Sequence, residues 1–280
     1  MRIGLLVVVI SAVFRLHSAI SLGFKRRLPP SLVPRRDTLK KLPLIGRIFS
    51  RVEYRPEPCG LSNIDFNCYQ NCIVQCLVSL DRLPLIIGDD LTRVARELLS
   101  LREKIYRKRV TNLKALRKAM GGKWNSRVGG SPTAFLNAIL QSVPSLLQAM
   151  RYHAEAPDSM LWIDSRGIDQ PLSEVLQHNT ELIGHLPDIL VIVLYKFYRD
   201  AESVTFRPEM IDCPSSLKVQ DEQGNAQSYH LKATVQDYDD MHVTAHIRCN
   251  DYWIEANDAE ITRIEDPVTS QTWILFYEKT

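Results

Sequence analysis

Gly60-Leu61-Ser62-Asn63-Ile64-Asp65-Phe66-Asn67-Cys68-Tyr69-Gln70-Asn71-Cys72-Ile73-Val74-Gln75-Cys76-Leu77 is the stretch on which the fold turns. Beyond Asn67, apolar residues Cys72, Ile73, Cys76, Leu77 and Leu80 recur at three- and four-residue spacing, which predicts an α-helix over Cys68–Leu80. Val74 and Val78 fall between them, so the helix is apolar nearly all round. That is the pattern of a helix buried at the centre of a domain. Leu83-Pro84 stops it, because a residue before proline is pushed out of helical geometry.

Outward from this helix, the first half of the chain keeps a helical period. Leu91 to Ala119 reads as helical and amphipathic, its many Lys and Arg forming a solvated face. Ser131-Pro132 opens another helix, a cap followed by proline in the first turn, through Phe135, Leu136, Ile139 and Leu140. After about Met160 the period shortens. Ile189 to Phe197, Tyr229 to Val235, Val243 to Cys249, Tyr252 to Ala256 and Thr272 to Glu278 are alternating, β-branched or aromatic, and predict strands. Helices first and strands later make an α+β plan, a helical half against a mostly antiparallel sheet.

With 45% hydrophobic and 24% charged residues in 280, the chain has material for a substantial core and is not of the disordered class. Its mean hydropathy of -0.14 excludes a polytopic membrane protein. Six cysteines are too few for a disulfide-stapled scaffold. The net charge of +3 is unevenly placed: Phe24 to Glu57 holds ten Lys/Arg against three Asp/Glu, whereas Pro58 to Thr280 holds 23 against 29. The body is therefore mildly acidic, which suits a basic peptide or protein ligand and argues against nucleic acid. Residues 1–23 read as a targeting segment, with Arg2 ahead of the apolar run Ile3–Phe14 and small residues after it. The run is short for a bilayer span, which favours a signal peptide and the secretory pathway. The alternative is a signal-anchor, a membrane association through residues 3–24 that leaves the body facing the cytosol. Residues 24–58, basic and proline-rich, are a linker, and 59–280 the folded domain.

Cys68 begins the buried helix, directly behind Asn67, where unpaired amides favour a thiolate. Such a nucleophile needs a base, and the base an orienting partner. His242 opens a strand, and Asn257-Asp258 stands at the turn after Trp253. His246 shares the strand face of His242 and is the rival base. Cys72 and Cys76 follow Cys68 at i+4 and i+8, a spacing that fits packing better than zinc ligation. No metal or cofactor is expected.

The string from Gly60 to Leu77 resembles the cysteine box of the ubiquitin-specific proteases, G-L-x-N, a short spacer, then C-Y-x-N-x-x-x-Q-x-L. Leu186-Pro187-Asp188-Ile189-Leu190-Val191-Ile192-Val193-Leu194 is similar to that family's L-P-x-x-L-x-I-x-L strand. Ile211 to Leu217, Tyr229 to Ala233, His242, Trp253, Asn257-Asp258 and Leu275-Phe276-Tyr277 follow its later segments in order. The resemblance implies a papain-like cysteine protease fold and a deubiquitinating thiol protease acting after the Gly-Gly end of ubiquitin, with ubiquitin or ubiquitinated proteins as partners. It assigns Cys68 as nucleophile, His242 as general base, Asn257 as the third catalytic residue, Asp258 as its second carboxylate and Asn63 as an oxyanion donor.

The chain departs from the family pattern in places. The spacer before the cysteine, usually of Gly-Asn-Thr type, is Ile64-Asp65-Phe66-Asn67. The usually glycine-rich loop before the histidine is Asp237-Tyr238-Asp239-Asp240-Met241. Phe66 and Met241 are bulky enough to narrow the cleft, which keeps open a catalytically inactive pseudo-protease that binds ubiquitin or a ubiquitin-like protein. The chain has no Cys-x-x-Cys pair, and only about 45 residues separate Leu140 from Leu186, so zinc fingers are expected to be reduced or absent.

Overall fold

The computed structural model describes residues 56–280 except 110, 126–128, 154–158, 166–169, 179–182, 196, 200–203, 207–210 and 239–241. Chain contacts divide it into Met1–Glu53 and Tyr54–Thr280, and the second unit is the one described. The targeting segment and nearly all of the basic linker lie outside the described residues, as do Asp239, Asp240 and Met241.

Helix α1, Cys68–Ser79, is the axis of the domain, with every residue from Tyr69 to Ser79 buried. The near-continuous apolar surface read from the sequence is used on all sides. Around α1 lie α2 (Leu83–Ile87), α3 (Arg93–Tyr106), α4 (Lys114–Met120), a 3-10 turn (Gly122–Asn125), α5 (Pro132–Ser142) and α6 (Pro144–Met150). The long helix expected over Leu91–Ala119 is two pieces. Asn112 Oδ1 accepts from the Lys114 N–H, and Thr111 bridges to Leu61, so the chain leaves α3 to pair with the segment ahead of Cys68. Helix α5 starts as expected, the Ser131 hydroxyl accepting from the Ala134 N–H at 3.5 Å with Pro132 in the first turn.

The second half builds β1 (Leu161–Asp164), α7 (Leu172–His178), β2 (Ile189–Tyr195), β3 (Phe197–Arg199), β4 (Val204–Phe206), β5 (Ser216–Gln220), β6 (Ala226–Tyr238), β7 (His242–Cys249), β8 (Tyr252–Asn257), β9 (Glu260–Ile264) and β10 (Thr272–Lys279). Among the described residues the main sheet has eight strands, in the order β1-β2-β10-β6-β7-β8-β9 with β5 paired to β6. Only the β1–β2 pairing is parallel. The other main-sheet pairings are antiparallel. Strands β3 and β4 form a separate ribbon. The α+β plan of a helical half on a mostly antiparallel sheet is thus the observed one.

Two apolar layers hold the sheet. Val191, Val193, Ala233, Val235, Ala245, Ile247, Ile274 and Phe276 face α1 and the other helices. Leu190, Ile192, Leu194, Leu217, Tyr229, Leu231, Leu275 and Tyr277 pack on the opposite side with Leu172 and Leu176 of α7. Helix α1 packs against β6, β7 and β8, which sets its N-terminus beside the start of β7 and the end of β8. Between α6 and β2 the described residues supply only β1 and α7 as regular structure. No group of three or more His, Cys, Asp or Glu among the described residues is arranged to hold a metal.

Candidate active site

Cys68 is the first residue of α1 and half-buried. The backbone of Val243, one residue past His242, lies beside its sulfur, and its N–H favours the charged thiolate. This contact, between residues 175 positions apart, brings the cysteine and the start of β7 together. The His242 ring is oriented from the other side, with Nε2 2.8 Å from Asn257 Oδ1 at the end of β8. An amide oxygen only accepts, so in this contact Nε2 is the donor and the ring is oriented from the β8 side.

Asp258 follows in the turn, with a left-handed backbone (φ 51°). Its two carboxylate oxygens are each held by an amide of the cysteine segment. Asn63 Nδ2 donates to Oδ2 at 2.7 Å, and Asn71 Nδ2 donates to Oδ1 at 2.7 Å. The Leu61 N–H also donates to the Asp258 carbonyl at 2.7 Å. Gly60 lies so close to this turn that a Cβ on it would stand 2.4 Å from the Asp258 carbonyl oxygen and from the Ala259 backbone. The two sequence boxes are therefore joined backbone to backbone, and only glycine fits at the seam.

The segment between Asn63 and Cys68 closes on itself. The Asn67 N–H donates to Asn63 Oδ1 at 3.0 Å, and the Ile64 N–H donates to Asn67 Oδ1 at 2.9 Å. Asn67 sits at the cap position of α1 but makes no side-chain cap bond, because its side chain is turned back to this loop and to Asn71. Asp65 and Phe66 both adopt left-handed backbone, at φ 69° and 57°. For a residue with a Cβ that geometry costs about 1–2 kcal/mol. The Phe66 ring is 77% exposed, so it stands out from the protein at the rim of the site instead of filling the cleft.

The thiol does not behave as the helix N-terminus alone predicts. Burial pushes the Cys68 thiol up, and the nearby Asp258 carboxylate adds to this, while the Val243 amide works in the opposite direction. Desolvation outweighs the partial charge of the helix end and holds the thiol above its ordinary range. His246, the rival base, is buried and engaged elsewhere, its Nδ1 donating to the Pro267 carbonyl at 3.0 Å and its Nε2 3.8 Å from Glu255 Oε1. Cys72 and Cys76 are buried and turn their sulfurs to the carbonyls of Tyr69 and Thr234. Cys59, Cys68, Cys72, Cys76 and Cys249 are free thiols.

The structure thus gathers Cys68, His242, Asn257, Asn63 and Asp258 at one place. Three contributors had no role in the sequence reading. Asn71 was legible as the N of the C-Y-x-N string, though nothing in the string says what it holds. The Val243 N–H is backbone and leaves no trace in side-chain identity. Arg117 of α4 was submerged in a run of surface cations, yet it is buried and donates to the Trp124 and Ile64 carbonyls.

Residues 169–277 match the family model described as ubiquitin carboxyl-terminal hydrolase. The match contains His242, Asn257 and Asp258 and does not reach Cys68. Among solved structures, the chain is similar to one in the SAGA Ubp8/Sgf11/Sus1/Sgf73 DUB module, with a TM-score of 0.61 at 17% identity, covering 82% of this chain and 69% of that one. A yeast SAGA DUB module carrying an Sgf73 mutant gives a TM-score of 0.60 at 16% identity, covering 82% and 70%. At these identities the likeness is one of fold. No curated protein matches the sequence. The chain is thus similar to the ubiquitin carboxyl-terminal hydrolases over its sheet half and shares its fold with the solved deubiquitinase modules.

Proposed function

We propose that this chain is an active deubiquitinating thiol protease that hydrolyses the isopeptide or peptide bond after the Gly-Gly end of ubiquitin. The observation that carries the reading is the start of β7 lying beside Cys68 with the His242 ring oriented by Asn257. In this mechanism the Cys68 S–H proton passes to His242 Nδ1 as the sulfur attacks the scissile carbonyl carbon. The carbonyl oxygen becomes an oxyanion. Asn63 gives one Nδ2 proton to Asp258 and keeps the second for that oxygen, beside the backbone amides at the start of α1. The tetrahedral adduct collapses, the C–N bond breaks and His242 returns the proton to the departing amine. Water, deprotonated by His242, then cleaves the thioester and regenerates the thiol. Asn257 keeps the ring in place throughout.

A second reading is the pseudo-protease that binds ubiquitin without cutting it. The raised Cys68 thiol favours it, since a protonated sulfur depends wholly on proton transfer to become a nucleophile. Turnover of a ubiquitin C-terminal fluorogenic substrate by the full chain, beside Cys68→Ala, decides between them. The protease reading expects release by wild type, none by the variant and ubiquitin binding by both. Binding without release by wild type leaves the second reading. Labelling by a ubiquitin vinyl-sulfone probe at Cys59 or Cys72 instead of Cys68 overturns the assignment of the nucleophile.

A further inference from the structure

The loop that joins Asn63 to Cys68 holds a backbone it cannot hold by itself. Two consecutive residues with side chains, Asp65 and Phe66, have positive φ, at the place where the family string usually carries a glycine spacer. Aspartate enters this region more readily than most residues, but phenylalanine rarely does. Strain of this kind persists only where surrounding contacts over-determine it. The hydrogen bonds within the loop, Asn67 N–H to Asn63 Oδ1 and Ile64 N–H to Asn67 Oδ1, close it without tying it to the body.

The tie is Arg117. Its neighbours on α4, Lys114 and Lys118, are exposed, whereas Arg117 is 5% exposed and turned inward. The guanidinium donates through Nη1 to the Ile64 carbonyl at 3.4 Å and through Nε to the Trp124 carbonyl at 3.1 Å. Nη1 lies 3.7 Å from Asp65 Oδ2. A rigid planar fork of this kind fixes a peptide's direction in a way that a lysine ammonium does not. One cation thus grips both the carbonyl before the left-handed pair and the side chain of its first residue.

We propose that Arg117 is a positioning residue for the reaction, with Asp65 as its handle. The pair replaces a glycine's backbone freedom with an anchored left-handed turn, and so aims the oxyanion donors at the two ends of the loop, the Asn63 amide and the backbone N–H groups at the start of α1. Arg117 touches no reacting atom. Its removal lets the Ile64–Phe66 backbone relax, which displaces Asn63 through Asn67 while leaving Cys68, His242 and Asn257 in place. The inference rests on the protease reading for its kinetic part only, since loop order is measurable without turnover.

The test uses the full chain as wild type, Arg117→Met, Arg117→Lys and the double variant Arg117→Met with Asp65→Gly. Two readouts are taken, kcat and KM on the fluorogenic ubiquitin substrate and amide hydrogen exchange in the peptide spanning residues 62–68. Arg117→Met is expected to lower kcat about 100-fold, the scale of a lost oxyanion donor, with KM within about threefold and with faster exchange in that peptide. Arg117→Lys falls between and carries the test if the methionine variant does not fold. The double variant recovers at least about tenfold in kcat and restores protection, because glycine adopts the turn without an anchor. Unchanged kcat and exchange in Arg117→Met overturn the proposal. So does a fall in kcat that tracks a lower Tm and is not recovered by Asp65→Gly. If wild type shows no turnover, the protease reading fails, and the exchange data alone decide whether Arg117 anchors the loop.

Discussion

Asp258 illustrates how much a single side chain does in this site. Its carboxylate receives Asn63 through one oxygen and Asn71 through the other, both at 2.7 Å, so it fixes the proposed oxyanion donor against the central helix. Asp258→Ala removes one of the two anchors of the Asn63 amide, the other being the Asn67 N–H, and is expected to lower kcat by about 100- to 1,000-fold at nearly constant KM. Steady-state kinetics on the fluorogenic substrate measure it, and an equal loss in KM alone contradicts the assignment. Cys68 supplies a second prediction. Because burial raises its thiol, no preformed thiolate is stored, and iodoacetamide alkylation of Cys68 is expected to climb with pH without a plateau below the ordinary thiol value of 9.0. Peptide mapping of the modified residue follows this, and a plateau near neutral pH contradicts it. At this scale the sequence disclosed identities well, because a cysteine behind a helix cap or an Asn-Asp at a turn is visible in the string. It did not disclose that the thiol is pushed up, which depends on how much of the sulfur is dehydrated.

Between elements, the decisive contact is the seam of Gly60 and Leu61 against the turn after β8. The Leu61 N–H on the Asp258 carbonyl and the missing Cβ at Gly60 set the spacing between the two halves of the site. Gly60→Ala places a methyl 2.4 Å from backbone atoms that have no rotamer to yield. The variant is expected to lose about 1–3 kcal/mol of stability in urea unfolding and to lose turnover with it, since the displaced turn carries Asp258. Unchanged stability shows that the seam opens easily. The helix α1 and strands β2, β6, β7, β8 and β10 were legible because each has one periodicity over six or more residues. Strands β1, β5 and β9 were not, being four or five residues long and partly exposed, with too few positions to show a period. The break between α3 and α4 was missed for a different reason. Its cause is the pairing of Thr111 with Leu61, fifty positions away, and no local pattern records it.

At the scale of the molecule, the sheet carries polar groups on the side away from α1 near the site, and the β9–β10 loop covers them. Thr234 and Gln236 of β6 and His246 of β7 all engage the Pro267 carbonyl. Thr269 and Thr272 donate to Gln236 Oε1 at 2.7 and 3.1 Å. Burial lowers the His246 pKa from its ordinary 6.5, although Glu255 nearby pulls the other way. A histidine kept neutral in the fold but free to charge when unfolded stabilises fully above the unfolded value. It loses that stabilisation as pH falls below about 6.5, at up to about 1.4 kcal/mol per pH unit. Glu278, whose carboxyl burial pushes up, has the opposite sign, so the measurement is a comparison. Tm of wild type is expected to fall more between pH 7.5 and pH 5 than Tm of His246→Gln, and parallel curves contradict this. The amino-acid string by itself determined the α+β architecture and the central helix, and pointed to five residues that the fold brings near one another, because periodicity, turn residues and a dense local motif are properties of neighbours along the chain. Only the tertiary structure decided that Asp258 holds Asn63, that Val243 lies beside Cys68, that burial raises the thiol and that one arginine of a basic run is buried against the loop. Each of those depends on desolvation and on contacts between residues tens to hundreds of positions apart, which no local stretch of sequence encodes.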